Sequence, residues 1–475
     1  MPREVAANLL NPFRNFKLGP KARQAELADT SRGNDLELQF AASVAVVDAQ
    51  TLARVVLGAS ADIDSGGDVF IDARSSEQYT SSAKSEVTTK AEQTVAPPPG
   101  LDFERNDTAV SVAVAWHILK NEAEALVLGG AAIDAVGDVT VSSLAAYPQY
   151  NTVEGILVSD NLISGSAEQG LNLALREGFG TTRLFNSWTT VRNDAKEGAS
   201  AFGGFTVSTY DTTSRAIIGS GAMINQDPDV ETLGNVSVTA DTDIVLYDQT
   251  GNFRLFSLES FFGELYNKGL AKAASKLQPV SFGKSKGTAV GGLVALGLMD
   301  NTTHALIEGG AAVASGAGRA VTVRAEEDVF HFQVTFAGNT SKAEGGVPVT
   351  ALSGAGLQHS SDTIAGVGAV AGADSAPVGA TITAGTLDVD AISEVDRYLT
   401  SGGFNRTRGA STIGLSVAVN TLDRRVEAFV GAAPALGDDR RALGLEGTTL
   451  LTGAVADWGT ASITADTLSV DAEAR

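Results

Sequence analysis

The sequence predicts an all-β chain: a parallel β-helix or β-solenoid of about six degenerate repeats, with loop insertions and one short amphipathic helix. Three observations carry this. A short alternating phrase recurs along the chain, the core must be built almost without aromatics, and glycine is abundant where turns and close approaches are needed. The alternative that shares these features is a string of small antiparallel β-sandwiches, whose hairpins the polar four-residue turns would also serve.

The phrase is clearest as "GGDVFIDARS" from Gly66 to Ser75, and it returns as "VGDVTVSSLA" (136–145), "LGNVSVTADT" (233–242) and "GRAVTVRAEE" (318–327). Two further copies are "AGTLDVDAIS" (384–393) and "ADTLSVDAEA" (465–474). Each begins with a turn, then alternates apolar and variable residues, the pattern of a half-buried strand. Val69 and Ile71 are expected to point inward, with Asp68, Phe70 and Asp72 on the opposite face. An isolated apolar residue precedes each copy: Ile63, Ile133, Ile224, Val313, Ile382 and Ile463. Earlier still lie a segment closed by Gly58, Gly129, Gly219, Gly309, Gly368 or Gly431 and an apolar run such as "ASVAVV" or "GLSVAVN". Polar turns such as "DAQT", "DTTS", "DNTT" and "NTLD" are expected between the two, so each repeat reads as three short strands separated by tight turns. One such unit cannot bury its apolar face alone, but stacking on its neighbours makes a continuous core.

The repeats are expected at about 38–106, 107–199, 200–287, 288–348, 349–408 and 409–475. They follow a linker or cap over residues 1–35, which carries six basic and four acidic side chains. Insertions vary most between copies, because loop closure entropy grows slowly with length. Residues 75–100 read as a polar excursion ended by three prolines. Leu258, Phe261, Phe262, Leu265 and Leu270 give "LESFFGELYNKGLAKAASKL" the stripe of an amphipathic helix, best used to cap the stack.

Composition narrows the function classes. The 475 residues are 43% hydrophobic but only 6% aromatic, which suits thin layers of Val, Ala, Leu and Ile. A formal charge of −22 disfavours attraction to nucleic acid or an anionic membrane surface. With no cysteine there is neither a disulfide framework nor a thiolate metal site. No apolar run is long enough to span a membrane as a helix, and the opening residues lack the apolar stretch of a signal peptide. The chain stops inside the phrase "TLSVDAEAR", which reads as a fragment of something longer.

Candidate chemistry is sparse. Asp68 and Asp72 could be calcium ligands, an acid–base pair or outward strand residues. Their equivalents in other copies include Ala320, Thr386 and Thr467 for the first and Ser142, Thr239 and Arg324 for the second. A catalytic pair does not recur with such replacements, so outward strand residues is the reading. Calcium between coils stays open only as a stabilising ion, since the nonapeptide for it lacks its fourth-position glycine here. His117, His304, His331 and His359 form no H-x-x-x-H pair and read as surface turn histidines. "GKS" at Gly283–Ser285 has Gln278 where a phosphate loop needs glycine. "GVGAVAG" at Gly366–Gly372 reads as a local packing variant, and Trp116, Trp188 and Trp458 are scattered. No catalytic, cofactor-binding or metal residue is therefore assigned.

With the repeats laid out, "GLSVAVNTLDRRVEAFVG" followed by "ASITADTLSVDAEA" is similar to the repeats of giant bacterial filamentous surface adhesins of the leukotoxin-like and hemagglutinin type. Their repeat runs V-x-V-x-x-N-x-V-x-A-x-I-G, then an isolated apolar residue, then G-D-V-x-V-x-A. The match covers most of residues 38–475 in pieces, and the long insertions depart from it. The resemblance implies an exported, non-enzymatic structural or adhesive segment at the cell surface or outside the cell. It acts as a stalk with contact-making loops, with further repeats of the same parent chain and host-surface or matrix glycans or proteins, or neighbouring bacterial cells, as partners. The rivals are a polysaccharide-acting β-helix lyase or glycosidase and a phage fibre component.

Overall fold

A computed structural model describes residues 38–88, 108–148, 185–194, 198–251, 253–255, 277–279, 283–285, 288–341, 349–369, 379–406, 412–431 and 461–475. The chain winds through six coils, and all its regular elements among these residues are β-strands. The first coil holds β1 (Leu38–Leu57), β2 (Asp62–Ser65), β3 (Val69–Ser76) and β4 (Ser81–Thr88), and the second β5 (Thr108–Val127), β6 (Ala132–Ala135), β7 (Val139–Tyr147) and β8 (Ser187–Asp194). The third holds β9 (Ser200–Ile218), β10 (Met223–Ile224), β11 (Val236–Thr250), the small pair β12 (Phe253–Leu255) and β13 (Leu277–Pro279), and β14 (Gly283–Ser285). The fourth contributes β15 (Ala289–Glu308), β16 (Ala312–Ala314) and β17 (Ala320–Ser341). In the fifth, β18 (Val349–Ala369) precedes β19 (Thr381–Arg406); in the last, β20 (Thr412–Val430) precedes β21 (Ser462–Ala474).

One wall is a six-stranded parallel sheet in the order β1-β5-β9-β15-β18-β20, and the rest of each coil forms a second, thirteen-stranded wall opposite it. Every pairing between coils is parallel, and β12–β13 is the one antiparallel pair among the described residues. Tandem sandwiches need antiparallel hairpins throughout, so the solenoid reading holds. The helix expected over Leu258–Leu277 lies outside the described residues, apart from Leu277, which opens β13. The cap expected over residues 1–35 lies outside them too.

The predicted ladders are present. Ile63, Ile133, Ile224, Val313, Ile382 and Ile463 are direct neighbours from coil to coil. The four central members are essentially inaccessible, and each buried aliphatic side chain of this size contributes about 2 kcal/mol. Ile71 is buried while Phe70 is 68% exposed, as the alternation requires. The main apolar core joins this ladder to the valines of the recurring phrase and to the ends of the long strands, among them Val127, Ile218 and Ile307.

Three details differ from the sequence reading. The polar "turns" within the long strands are not turns, since β5, β9 and β15 run unbroken through Asn121, Thr212 and Asn301. The side chains there point inward, where hydrogen bonds replace water. Residues 75–88 are not a polar excursion either. They finish β3 and form β4, with Ser75, Tyr79, Ser81, Ala83, Ser85 and Val87 buried in alternation. Serine at inward positions hid the strand from a hydrophobicity pattern. Finally, the segment-ending glycines are not equivalent. Gly368 and Gly431 are themselves left-handed, whereas in the second, third and fourth coils the left-handed residue is Gly130, Gly221 or Gly310, one position before the alanine whose N–H bonds back to Leu128, Gly219 or Glu308. That places glycine at the third position of a type II turn.

Glycine has a second use at the start of the recurring phrase, where consecutive coils approach backbone to backbone. A Cβ on Gly234 would sit 2.0 Å from the Gly137 carbonyl oxygen. Gly234→Ala is expected to cost about 1–3 kcal/mol of overpacking, read as a lower urea midpoint with unchanged slope. An unchanged midpoint would show that the coils can separate there.

Candidate functional site

Polar chemistry in this protein concentrates between the two walls. Inward positions follow strict alternation along each long strand, so His117, Leu119 and Asn121 face the same way as the core alanines Ala113 and Ala125. The interior therefore carries a seam of polar side chains flanked by apolar clusters, and nearly every coil joins its walls across that seam. Ser75 donates to Asn121, whose Nδ2 donates to the Ala146 carbonyl at 2.9 Å. Ser143 and Ser214 share a hydrogen bond of 2.8 Å, and Thr242 and Thr303 one of 2.7 Å.

The seam culminates at Glu327. This carboxylate is wholly buried, yet it accepts from Asn301 Nδ2 at 2.8 Å, Ser393 Oγ at 2.7 Å, Thr363 Oγ1 at 3.1 Å and Ser361 Oγ. His359 Nε2 stands 3.4 Å away. Burial alone would raise its pKa, but His359 and the hydrogen bonds outweigh that and hold the carboxyl down at about 2. The donors come from β15, β18 and β19, so this side chain, itself on β17, fastens both walls of the fourth and fifth coils.

A second cluster lies further along the interior. Tyr210 donates to Asp248 Oδ2 at 3.0 Å, His331 Nε2 donates to the same oxygen at 2.9 Å, and Tyr79 shares a short hydrogen bond with Tyr210. His117 Nδ1 is 2.9 Å from Ser208 Oγ, with its ring 5.6 Å from that of Tyr79. Burial, then the nearby Asp248 charge, pushes both tyrosines well above the ordinary phenol range. Burial drives His117 down to about 4, against the opposing pull of Asp248. These phenols and this imidazole stay neutral near pH 7, suited to fixed hydrogen bonds.

Each sequence candidate now has a place. None of the four histidines is a surface turn residue, because all are inaccessible. His117, His304 and His359 lie on β5, β15 and β18, and His331 lies on β17. His117, His331 and His359 stand at inward parity beside hydroxyl, carboxylate or amide partners, whereas His304 stands at outward parity on β15 and is covered there, 3.3 Å from Asp362. Asp68 and Asp72 do face outward, and both link coils. Asp68 Oδ1 accepts the Asp138 amide at 2.9 Å, Asp138 accepts the Asn235 amide at 2.7 Å, and Asn235 accepts that of Ala320 at 3.0 Å. Asp72 accepts from Ser142 at 2.8 Å and pairs with Arg74 at 2.7 Å. Gly283–Ser285 is β14, an ordinary strand between β8 and β17. Gly366 makes room for the Phe429 ring, which is the packing role expected for that stretch. Trp116 and Trp188 are buried, and Trp458 lies outside the described residues.

Sequence reasoning also missed a corner device. Asn193 donates to the Ala109 carbonyl at 3.0 Å, and Asn339 and Asn405 donate likewise to Thr350 and Ile413. Asn339 and Asn405 are register partners, so the three asparagines tie the end of one wall to the start of the other. Among the described residues no cluster of three or more His, Asp or Glu side chains is arranged to hold a metal ion, and no helix is long and apolar enough to cross a membrane.

No match is found to any family model, curated protein or solved structure. Function must be argued from the coils themselves. Their buried ionisable groups are engaged in contacts between walls or between coils, which makes the seam a scaffold of fixed dipoles and charges. A cavity of about 310 Å³ is bordered by Phe332, Arg397, Tyr398, Leu399, Ala418 and Asn420.

Proposed function

We propose that the chain is a non-enzymatic structural and adhesive segment of a large exported bacterial surface protein, working as a stiff stalk at the cell surface or outside the cell. The observation that carries this is the use of the polar side chains. Glu327, Asp248 and Asn121 bond across the interior, and His331, Asp68, Asp72 and Asp138 bond from coil to coil. Such a molecule resists bending and shear, because strands of 20 residues are paired without slippage between β1 and β5. The similarity of "GLSVAVNTLDRRVEAFVG" to filamentous adhesin repeats supports the same reading. Host-surface or matrix glycans or proteins, or neighbouring bacterial cells, would be contacted by segments between the coils.

The proportions sharpen the proposal. Strands stack at about 4.8 Å, so six coils rise only about 24 Å, whereas a 20-residue strand has a contour of about 66 Å. A spacer of useful length therefore needs more layers than six.

The test uses beads coated with the full chain. Retention on extracellular matrix or epithelial surfaces is expected, while polymeric glycans incubated with the protein keep their length. Depolymerisation that disappears on mutating a single carboxylate would overturn the proposal in favour of a polysaccharide-cleaving enzyme.

A further inference from the structure

The outer face of the first wall is divided in two. From Lys120, Asp211 and Asp300 onward, its outward positions carry most of the wall's charge. Before them lie four successive outward positions per strand, alternating from Phe40 to Val46 on β1, with register partners on β5, β9, β15, β18 and β20. None of these residues is charged, and Thr350 alone carries a hydroxyl. One such column reads Val44, Val114, Phe205, Val294, Gly354, Val417. The face is open in the middle of the stack: on β15 and β18, Val290 is 46%, Val294 37%, Leu296 37% and Leu352 43% accessible. It is also level. Leu296 lies against Gly356, 2.8 Å from where a Cβ would stand, and Val294 lies against Gly354 at 3.7 Å.

Area says what can cover such a face. It spans about 27 Å along the strands and about 29 Å across the six-stranded sheet, roughly 750 Å². Within it only Trp116 and Val207 are already buried. The largest contiguous apolar patch on a soluble monomer is about 300–600 Å², whereas a stable protein interface takes about 800 Å² from each partner. We infer that this half of the first wall is an interface on which a second copy of the chain packs, sheet upon sheet about 10 Å apart. The occupant must be as flat, as long and as free of charge as the face itself, and the same face on another copy meets all three conditions. An anionic lipid surface is disfavoured by the chain's formal charge of −22.

Charge also chooses the arrangement. A two-fold axis along the stack, midway across the apolar half, lays that half on its own copy with the strands reversed. Both charged halves then project past the partner and stay in water. A two-fold axis along the strands would instead set the column containing Asp211, Asp300 and Asp423 against itself, which is repulsive. The first arrangement pairs two solenoids side by side and is isologous, so it closes at the dimer.

This pairing goes beyond the stalk reading and does not depend on it: a chain that stays monomeric overturns the interface and leaves the bead-retention result untouched. Sedimentation velocity of the full chain over a concentration series is expected to show a species of twice 48.7 kDa. Added salt should tighten it, because screening relieves the repulsion between two acidic copies. The Val294→Glu/Leu352→Glu variant places charges at exposed positions of the apolar half and should associate at least tenfold more weakly. Asp300→Asn, on the charged half, should leave association unchanged. Circular dichroism and urea midpoints matching the parent separate lost pairing from lost folding, and Val294→Thr, which suits a strand, gives a milder version of the same test. A monomer at all concentrations, a dimer weakened by salt or indifferent to the two glutamates, or tightening by Asp300→Asn would overturn the interface. So would a monomer that binds phosphatidylcholine vesicles, which would give the face to lipid instead.

Discussion

Glu327→Ala is expected to cost the fold about 3–5 kcal/mol, the loss typical of removing one partner from a buried charged pair. The reason is the company the carboxylate keeps. Deleting it leaves the Asn301 amide, the hydroxyls of Ser361, Thr363 and Ser393, and the His359 ring facing a void that water cannot readily reach. Glu327→Gln should cost markedly less. It keeps one carbonyl acceptor and presents an amide to hydroxyls that can turn to accept. The pH dependence has a definite sign. The folded carboxyl is held at about 2, below its ordinary 4.5, by His359 and the donors around it despite the burial that opposes them. Its contribution is therefore complete above pH 4.5 and is lost as pH falls from there towards 2, by about 3 kcal/mol in all. Urea titrations of parent and variant should show the stability gap narrowing below pH 4.5. A gap of constant size down to pH 3 would mean that only packing had been lost.

How much of this was visible beforehand depends on the kind of side chain. The ladder of Ile63, Ile133, Ile224, Val313, Ile382 and Ile463 was legible because an aliphatic residue amid small ones has one economical place, the interior. The outward direction of Asp68, Phe70 and Asp72 followed from the same parity. Glu327 was not legible, although it stands at inward parity in "AVTVRAEEDVF", because a hydrophobicity pattern assigns every carboxylate to water. What makes it tolerable inside is the arrival of Asn301, Ser361 and Ser393 from three other strands, a fact of register between coils. His331 was missed for the same reason, as its partner Asp248 lies on β11, one coil earlier. Asn193, Asn339 and Asn405 could have been found, since each sits shortly before a long strand of the first wall. Their meaning required knowing which carbonyl each one reaches.

Acidification should expose the other buried network. His117 is neutral in the folded protein, held down to about 4 by burial, while in the unfolded chain it titrates near 6.5. Between those values the unfolded chain binds a proton that the folded one refuses, so this histidine's contribution to stability is lost as pH falls from about 6.5 to 4, by about 3 kcal/mol. Two carboxyls act in the opposite sense. Partial desolvation first, with Glu326 adding to it at Asp241 and Asp211 and Asp362 at Asp300, pushes both up to about 6, although Asp300 still reaches solvent at an outward position of β15. Their desolvation and repulsion are relieved as the pH falls through that value, which favours the folded state and masks part of the histidine's effect. The parent's own pH profile is consequently ambiguous, and the informative quantity is its difference from His117→Gln. Glutamine can keep a hydrogen bond to Ser208 without titrating. The difference in unfolding free energy is expected to be flat above pH 7 and then to shift in the variant's favour down to pH 4, while the two aspartates cancel from the comparison. Parallel profiles for the two proteins would place the acid sensitivity elsewhere and leave His117 as a packing residue only.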